Sequence, residues 1–144
     1  RSRGLGDVYK RQHLKRAIAE QGAGIIVGPL LSERSKIELK NLSFAAPKAL
    51  YDNGIEFAMM TDHPVIPEQY LPVCAALAVR EGLPEEEALR SITINAARIA
   101  GIDDRVGSLE PGKDADVAVF NGHPLDFRAR CVLTLVNGKI AHEE

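Results

Sequence analysis

The chain has 144 residues, a length typical of one ordinary domain. It is 45% hydrophobic and 26% charged with a formal net charge of −2, which is typical of a globular, soluble protein. This balance, without any run of Lys or Arg, argues against a nucleic-acid-binding protein, and no apolar stretch approaches the ~18 residues that a membrane helix needs.

Residues 1–12, RSRGLGDVYKRQ, differ from the rest of the chain. They contain no initiator Met and follow neither a helical nor a strand period. The string is similar to a translated sequencing adapter, so we expect it to be foreign to the biological protein and the chain to be a truncated reading frame. A genuine flexible loop or basic tail is the alternative.

The next part of the chain is predicted to be an α/β unit. Residues 13–21 have apolar side chains at helical spacing, and residues 24–30, GIIVGPL, form an apolar run typical of a strand buried on both faces. Residues 31–43 are polar and irregular, as a functional loop would be. A short helix over 44–53 precedes a second strand, IEFAMM at 55–60. The two strands start about 31 residues apart, which is the repeat length of a parallel β/α sheet.

Two further helices are predicted after the second strand. The first covers about residues 68–81. The second runs from Pro84 to about Ala100, with Pro84 in the first helical position and apolar side chains along one face.

The last part of the chain is predicted to be β structure. A strand is expected at 116–120, and Asn137-Gly138 is a strong signal of a tight hairpin. We therefore expect β/α units and helices at 13–104, followed by β strands at 105–144.

Asp62 follows the second predicted strand directly. In both a (β/α)8 barrel and a doubly wound sheet, the chemistry lies at the C-terminal ends of the strands. A carboxylate there can take a proton from a metal-activated water, pass it to a leaving nitrogen and also ligate the metal. A turn or helix-capping Asp before Pro64 is the alternative, and position alone does not separate the two.

Three segments of the chain follow a pattern shared with one enzyme superfamily. They are AMMTDHPVIP (58–67), EEALRSITINAARIAGIDDRVGSLEPGKDADVAVFNGHPLD (86–126) and VNGKI (136–140). The most specific parts are T-x-N-A-A-x-x-x-G at 93–101 and GSLEPGKDAD at 107–116. Together they resemble the C-terminal region of the amidohydrolase superfamily, in particular its imidazolonepropionase-like branch, and the resemblance extends over 13–144.

The resemblance implies an α/β fold: the C-terminal portion of a (β/α)8 metal-dependent hydrolase barrel (a TIM barrel), followed by part of a small β-sandwich. It also implies one or two divalent metals, with zinc expected, but the family's metal-ligand motifs on strands one to six do not occur in this chain. Asp62 matches the family's catalytic Asp after the eighth strand, which often touches the metal.

The same resemblance suggests three further site residues. His63, beside Asp62, and Arg34, in the loop after strand seven, are the expected substrate-binding residues, Arg34 through a substrate carboxylate. His13 lies where family members carry a His near the metal. The alternatives are a packed loop histidine for His63, a solvated side chain for Arg34 and a surface histidine for His13.

Structural roles are expected for the other conspicuous polar residues. Asn95 is expected to bond backbone between a helix and the barrel. Asp114 and Asp116 are expected to be turn carboxylates rather than metal ligands, and His123 a loop histidine.

Two functions of different class follow from the sequence. The first is a metal-dependent amidohydrolase that cleaves a C–N bond in a small cyclic amide or amidine, with Asp62 as proton shuttle. The second is a catalytically inactive truncated fragment with only a packing or interaction role. A (β/α)8 phosphate-binding isomerase is disfavoured, because TDHPVIP lacks the glycines of a phosphate loop.

The expected partner is a small-molecule substrate, with neither nucleic acid nor a membrane involved. The oligomeric state is left open, a homo-oligomer included. Cys74 and Cys131 follow no paired motif and are expected to be buried thiols in a reducing cytoplasm.

Overall fold

The computed structural model describes residues 24–32 and 43–144. Two short parallel strands begin the described fold: β1 spans Ile25–Val27 and β2 spans Phe57–Met59. They lie inside the two apolar runs predicted to be strands, and their parallel pairing confirms the prediction from the repeat length. All three residues of β2 are buried, as suits a strand covered on both faces.

In the described ranges, helices follow both strands. They are α1 at Ala46–Asp52, a 3-10 turn at Glu68–Tyr70, α2 at Leu71–Arg80, α3 at Glu85–Ser91 and α4 at Ile94–Ala100. Pro47 and Pro72 stand in the first turns of α1 and α2, where the backbone N–H that proline lacks has no helical partner. Pro84 was predicted to be the first residue of its helix, but it precedes α3 with an extended ψ of 136°.

The prediction of a single helix over 84–100 is wrong, because the structure has two helices there. Between α3 and α4, Thr93 leaves the helical conformation with φ −132° and ψ −101°. The Oγ1 of Thr93 donates a hydrogen bond to the carbonyl of Leu89, and the Oγ of Ser91 donates one to the carbonyl of Ala88. Hydroxyls that bond the preceding turn compete with the helical backbone pattern, and the apolar spacing does not reveal this competition.

The hydrophobic core lies between the two strands and the helices. Its buried members are Ile25, Val27, Leu30, Leu50, Ile55, Phe57, Met59, Ala75, Ala78, Leu83 and Ala88. Phe57 is wholly buried and Leu50 is 1% exposed. Burying a side chain of this size stabilises the fold by about 1.5–3 kcal/mol, so β2 is anchored at its start by its largest residue.

A three-stranded antiparallel sheet forms the C-terminal part. β3 spans Val117–Phe120, β4 spans Cys131–Val136 and β5 spans Lys139–Glu143, in the order β3-β4-β5. Asn137 and Gly138 connect β4 to β5 with φ of 50° and 72°. Two positive φ values in succession match the right-handed twist of a tight hairpin, so the predicted hairpin is confirmed.

The loops of this sheet contact the α/β part. Leu125 packs against the hydrophobic core, and the Nε2 of His123 lies 2.8 Å from Oε1 of Glu85 on α3. His123 is therefore a loop histidine, as predicted. The division of the chain into 13–104 and 105–144 stays a prediction.

In the part of the chain that the structure describes, no helix has the length and apolarity needed to cross a membrane.

Candidate functional site

Asp62 lies just past the C-terminal end of β2. Its φ of 55° falls in the left-handed region, which residues other than glycine rarely adopt but which Asp tolerates better than most. Its carbonyl accepts a hydrogen bond from the N–H of Val65 at 2.9 Å, which closes a tight turn. Thr61, directly before it, is buried at 6% exposure, whereas Asp62 is exposed. The chain thus changes from core to surface within one residue, and the carboxylate lies outside the core at the strand end.

The matching end of β1 lies against the same segment. The N–H of Met60 donates to the carbonyl of Val27 at 2.9 Å, which extends the parallel pairing past the last strand residue. Gly28 follows with φ +150°, and a Cβ built on it would lie 2.1 Å from the carbonyl oxygen of Met60. The two strand ends are therefore in backbone contact two residues before Asp62, and no side chain fits at Gly28.

The structure describes two of the predicted site residues. Asp62 and His63 are both exposed at the end of β2, and none of the ion pairs between described residues involves either of them. Arg34 and His13 lie outside the described residues. The catalytic, metal-binding and substrate-binding roles of these residues stay predictions.

The fit of a metal ion can be judged from the side chains around Asp62. Among residues 24–32 and 43–144, no group of three or more His, Cys, Asp or Glu side chains is arranged to hold a metal. Catalytic zinc sites use three protein ligands, and a carboxylate oxygen is an accepted one. Asp62 therefore fits as a single ligand, and a complete site would need donors from beyond the described ranges.

Asp114 and Asp116 are turn carboxylates, as predicted. Oδ2 of Asp114 lies 2.6 Å from the guanidinium of Arg105. Oδ1 of Asp116 accepts the backbone N–H of Asn137 at 2.8 Å. Both carboxylates thus fasten the loops that lead into the three-stranded sheet.

Asn95 connects α4 to β2 from a buried position. Its side chain is 2% exposed, and its Nδ2 donates to the carbonyl of Phe57 at 3.3 Å and to Oε1 of Glu87 at 2.8 Å. This confirms the predicted structural role of Asn95. The hydrogen bond between Asn95 and Glu87 was not predicted. The two residues lie on different helices, so their spacing in the sequence does not show that their side chains meet.

An ion pair between Asp126 and Arg128 lies in the loop between β3 and β4. Hydrogen bonds from Arg128 lower the pKa of the Asp126 carboxyl to about 2.

Burial raises the pKa of the Cys74 thiol, as expected of a packed, unreactive cysteine. Both cysteines are free, but Cys131 is only half-buried, so the prediction of two buried thiols is wrong for Cys131.

Comparison with known proteins gives consistent matches. The model of the amidohydrolase family matches residues 11–142. An imidazolonepropionase of Geobacillus thermodenitrificans (strain NG80-2) is 38% identical over 109 residues, which are 74% of this chain and 24% of that protein. The crystal structure of an amidohydrolase from Thermotoga maritima MSB8 matches with a TM-score of 0.88 and 41% identity, covering 91% of this chain and 34% of that chain.

A more distant match concerns the fold alone. An adenosine deaminase from Xanthomonas campestris, crystallised with bound zinc, matches with a TM-score of 0.67 at 20% identity, covering 94% of this chain and 35% of that chain. The chain spans between 10% and 27% of the length of the first curated relatives that it matches.

Proposed function

Because the chain belongs to the amidohydrolase family, we propose that it forms the last β/α units of a (β/α)8 barrel in a longer metal-dependent hydrolase. The intact enzyme would cleave a C–N bond of a small cyclic amide or amidine. The observation that carries this proposal is the exposed carboxylate of Asp62 at the C-terminal end of a parallel strand. In barrel enzymes this end of the strands is where catalytic residues lie.

Asp62 is proposed as both proton shuttle and metal ligand. A divalent metal, for which we propose zinc, supplies Lewis-acid polarisation of the reacting groups. The carboxylate of Asp62 accepts a proton from the attacking water and then donates it to the leaving nitrogen, so that the side chain returns to its starting state. The left-handed backbone at Asp62 supports this role, because strained non-glycine conformations cluster at functional sites.

Two neighbours of Asp62 are proposed to bind the substrate. His63 follows it on the same exposed turn, where an imidazole can hydrogen-bond a ring carbonyl or amide. Arg34 is proposed to hold a substrate carboxylate through two parallel hydrogen bonds. For His13 a supporting role near the metal is retained as a proposal.

The first substrate to test is imidazolonepropionate. It is chosen because relatives named imidazolonepropionase are 32–38% identical over about three quarters of this chain. Ring opening and deamination both require attack of water at a carbon and protonation of a leaving nitrogen. Asp62 would serve either reaction, so an amino-substituted purine is the second substrate to test.

The 144-residue chain by itself is proposed to be inactive. The described residues hold no complete metal site. Exposed apolar side chains on and near the three-stranded sheet support a larger assembly. Leu109 is 82% exposed, Val136 50% and Ile140 62%. We place the intact enzyme in the cytoplasm, where the two free cysteines of this chain would stay reduced.

Sequencing the source DNA upstream of the His13 codon tests whether a longer enzyme exists. We expect a reading frame that continues upstream and encodes a His-x-His strand, a mid-chain Lys or Glu and two further spaced histidines, in place of residues 1–12. A start codon directly before RSRGLGDVYKRQ would contradict the proposal and favour the non-catalytic alternative.

The recovered full-length gene product then tests the reaction. We expect about stoichiometric zinc and hydrolysis of imidazolonepropionate, with neither for the 144-residue chain. Stoichiometric zinc and hydrolase activity in the 144-residue chain would contradict the proposal that the chain alone is inactive. A full-length product with neither zinc nor hydrolase activity would contradict the proposed enzyme.

A further inference from the structure

The geometry at the ends of β1 and β2 points to a second residue that the proposed reaction needs. We propose that Gly28 is a positioning residue for Asp62 and that it acts through the backbone of Met60. This inference rests on the function proposed above for Asp62, because it concerns the same carboxylate.

Gly28 is in contact with backbone atoms, which cannot move aside as a flexible side chain can. A Cβ at this position would lie 2.1 Å from the carbonyl oxygen of Met60 and 3.0 Å from its carbonyl carbon. It would also lie 2.9 Å from the side-chain Cγ of Met60. The φ of +150° is itself one that L side chains rarely adopt. Only glycine therefore permits this approach of the two strand ends.

The backbone of Met60 is held on both sides of its Cα, through the N–H of the preceding peptide group and the carbonyl of the following one. The N–H of Met60 is bonded to the carbonyl of Val27 at 2.9 Å, and its carbonyl oxygen lies against Gly28. Thr61 is buried, so the chain has little room to absorb a shift before it reaches Asp62. An added methyl group at Gly28 must push the Met60 carbonyl away, and the displacement passes to the carboxylate two residues later.

A displacement of this kind affects chemistry more than folding. A shift of about 1 Å in a reacting group can cost about 100-fold in rate. The carboxylate of Asp62 is exposed, so moving it removes no buried contact of its own. Loss of catalysis and of metal affinity at temperatures where the variant is still fully folded is therefore the signature of a positioning role.

Gly54 provides a matched control for Gly28. It also has a positive φ, +65°, and lies in the same α/β part, but a Cβ built on it meets nothing within 4 Å. Gly54→Ala therefore introduces unfavourable backbone strain without a collision. The experiment compares Gly28→Ala, Gly54→Ala and Asp62→Asn in the full-length gene product.

Three quantities are measured for each variant: zinc affinity by chelator competition with zinc alone, kcat and KM for imidazolonepropionate, and the thermal midpoint. We expect Gly28→Ala to lower kcat and zinc affinity at least tenfold, with KM changed less than twofold. Gly54→Ala should leave kcat and zinc affinity within twofold of the wild type, with a smaller fall in thermal midpoint than Gly28→Ala, because it adds backbone strain without a collision. Equal effects of the two glycine substitutions on kcat and zinc affinity would overturn the inference.

The double variant Gly28→Ala/Asp62→Asn tests whether Gly28 acts through Asp62. We expect its kcat and zinc affinity to match those of Asp62→Asn within twofold, because the carboxylate being positioned is already gone. Multiplicative losses would show a role unrelated to Asp62 and would overturn the inference. Wild-type zinc affinity and kcat in Asp62→Asn would instead contradict the proposed function itself.

A second route covers the case in which Gly28→Ala does not fold. Met60→Gly loosens the same stretch of backbone without adding an atom, so it should also lower kcat and zinc affinity. In the double variant Met60→Gly/Asp62→Asn, kcat and zinc affinity should match those of Asp62→Asn alone. Full retention of kcat and zinc affinity in Met60→Gly would overturn the inference.

Discussion

The side-chain amide of Asn95 donates a hydrogen bond to the carbonyl oxygen of Phe57 at 3.3 Å. The parallel register of β1 and β2 directs this carbonyl toward the edge of β2 that does not face β1. The same amide group bonds Oε1 of Glu87 on α3 at 2.8 Å, so one buried side chain ties two helices to the strand that leads to Asp62.

Asn95→Ala is predicted to destabilise the fold. It leaves the carbonyl of Phe57 and the half-buried carboxylate of Glu87 without this donor, and a buried group left unsatisfied costs about 1–3 kcal/mol. Urea denaturation of the full-length gene product measures the change. Gln69→Ala is the control, since Gln69 is exposed and surface substitutions usually stay within about 0.5 kcal/mol. Equal losses of unfolding free energy in the two variants would show that the hydrogen bonds of Asn95 do not stabilise the fold.

Phe57→Ala is predicted to cost about 3–5 kcal/mol, as truncations of buried aromatic residues do. Phe57 is wholly buried, whereas Phe127 in the loop before β4 is 84% exposed. Phe127→Ala removes the same atoms and should change the free energy of unfolding little. A comparable loss for Phe127→Ala would mean that the exposed ring is covered in the intact protein.

The two cysteines are predicted to react at different rates. Burial of Cys74 raises the pKa of its thiol, which lowers the fraction of reactive thiolate, whereas Cys131 is half-buried. With an aromatic disulfide reagent at pH 8, the native Cys131→Ser variant should react at least tenfold more slowly than Cys74→Ser. Similar rates would contradict the burial of Cys74.

The pKa of Asp126 is predicted to depend on Arg128. Hydrogen bonds from the guanidinium and the backbone N–H of Arg128 lower the pKa of the carboxyl from 3.8 to about 2. Because this pKa is depressed, the stabilising effect is present above pH 3.8 and is lost as the pH falls through about 2. Titration of the carboxyl ¹³C signal should show a higher pKa in Arg128→Ala. An unchanged pKa would assign the depression to the backbone donor alone.

The regular elements were predictable from the sequence because their signals are local. The apolar runs at 24–30 and 55–60 contain β1 and β2, and Asn137-Gly138 forms the hairpin turn. The boundary between α3 and α4 was not predictable, because the hydroxyls that compete with the helix there do not disturb the apolar spacing.

The candidate site was predictable only in part. The position of Asp62 after a strand is visible in the sequence. The contact between Gly28 and Met60 depends on how the two strands meet, and their register pairs residues 32 positions apart, such as Ile26 with Ala58. A glycine followed by Pro29 at the end of an apolar run was the only available signal. Arg34 and His13 lie outside the described residues, so their predicted roles rest on the sequence.

The most direct test of the central claim is kcat for Asp62→Asn in the full-length gene product, assayed with imidazolonepropionate. Asn is isosteric with Asp but cannot shuttle a proton, so kcat should fall by about 10²–10⁴-fold with the thermal midpoint unchanged. Asp104→Asn, at another exposed aspartate, is the matched control and should keep kcat within twofold. A kcat for Asp62→Asn within twofold of the wild type would contradict the account, because the proton would then be carried by another group.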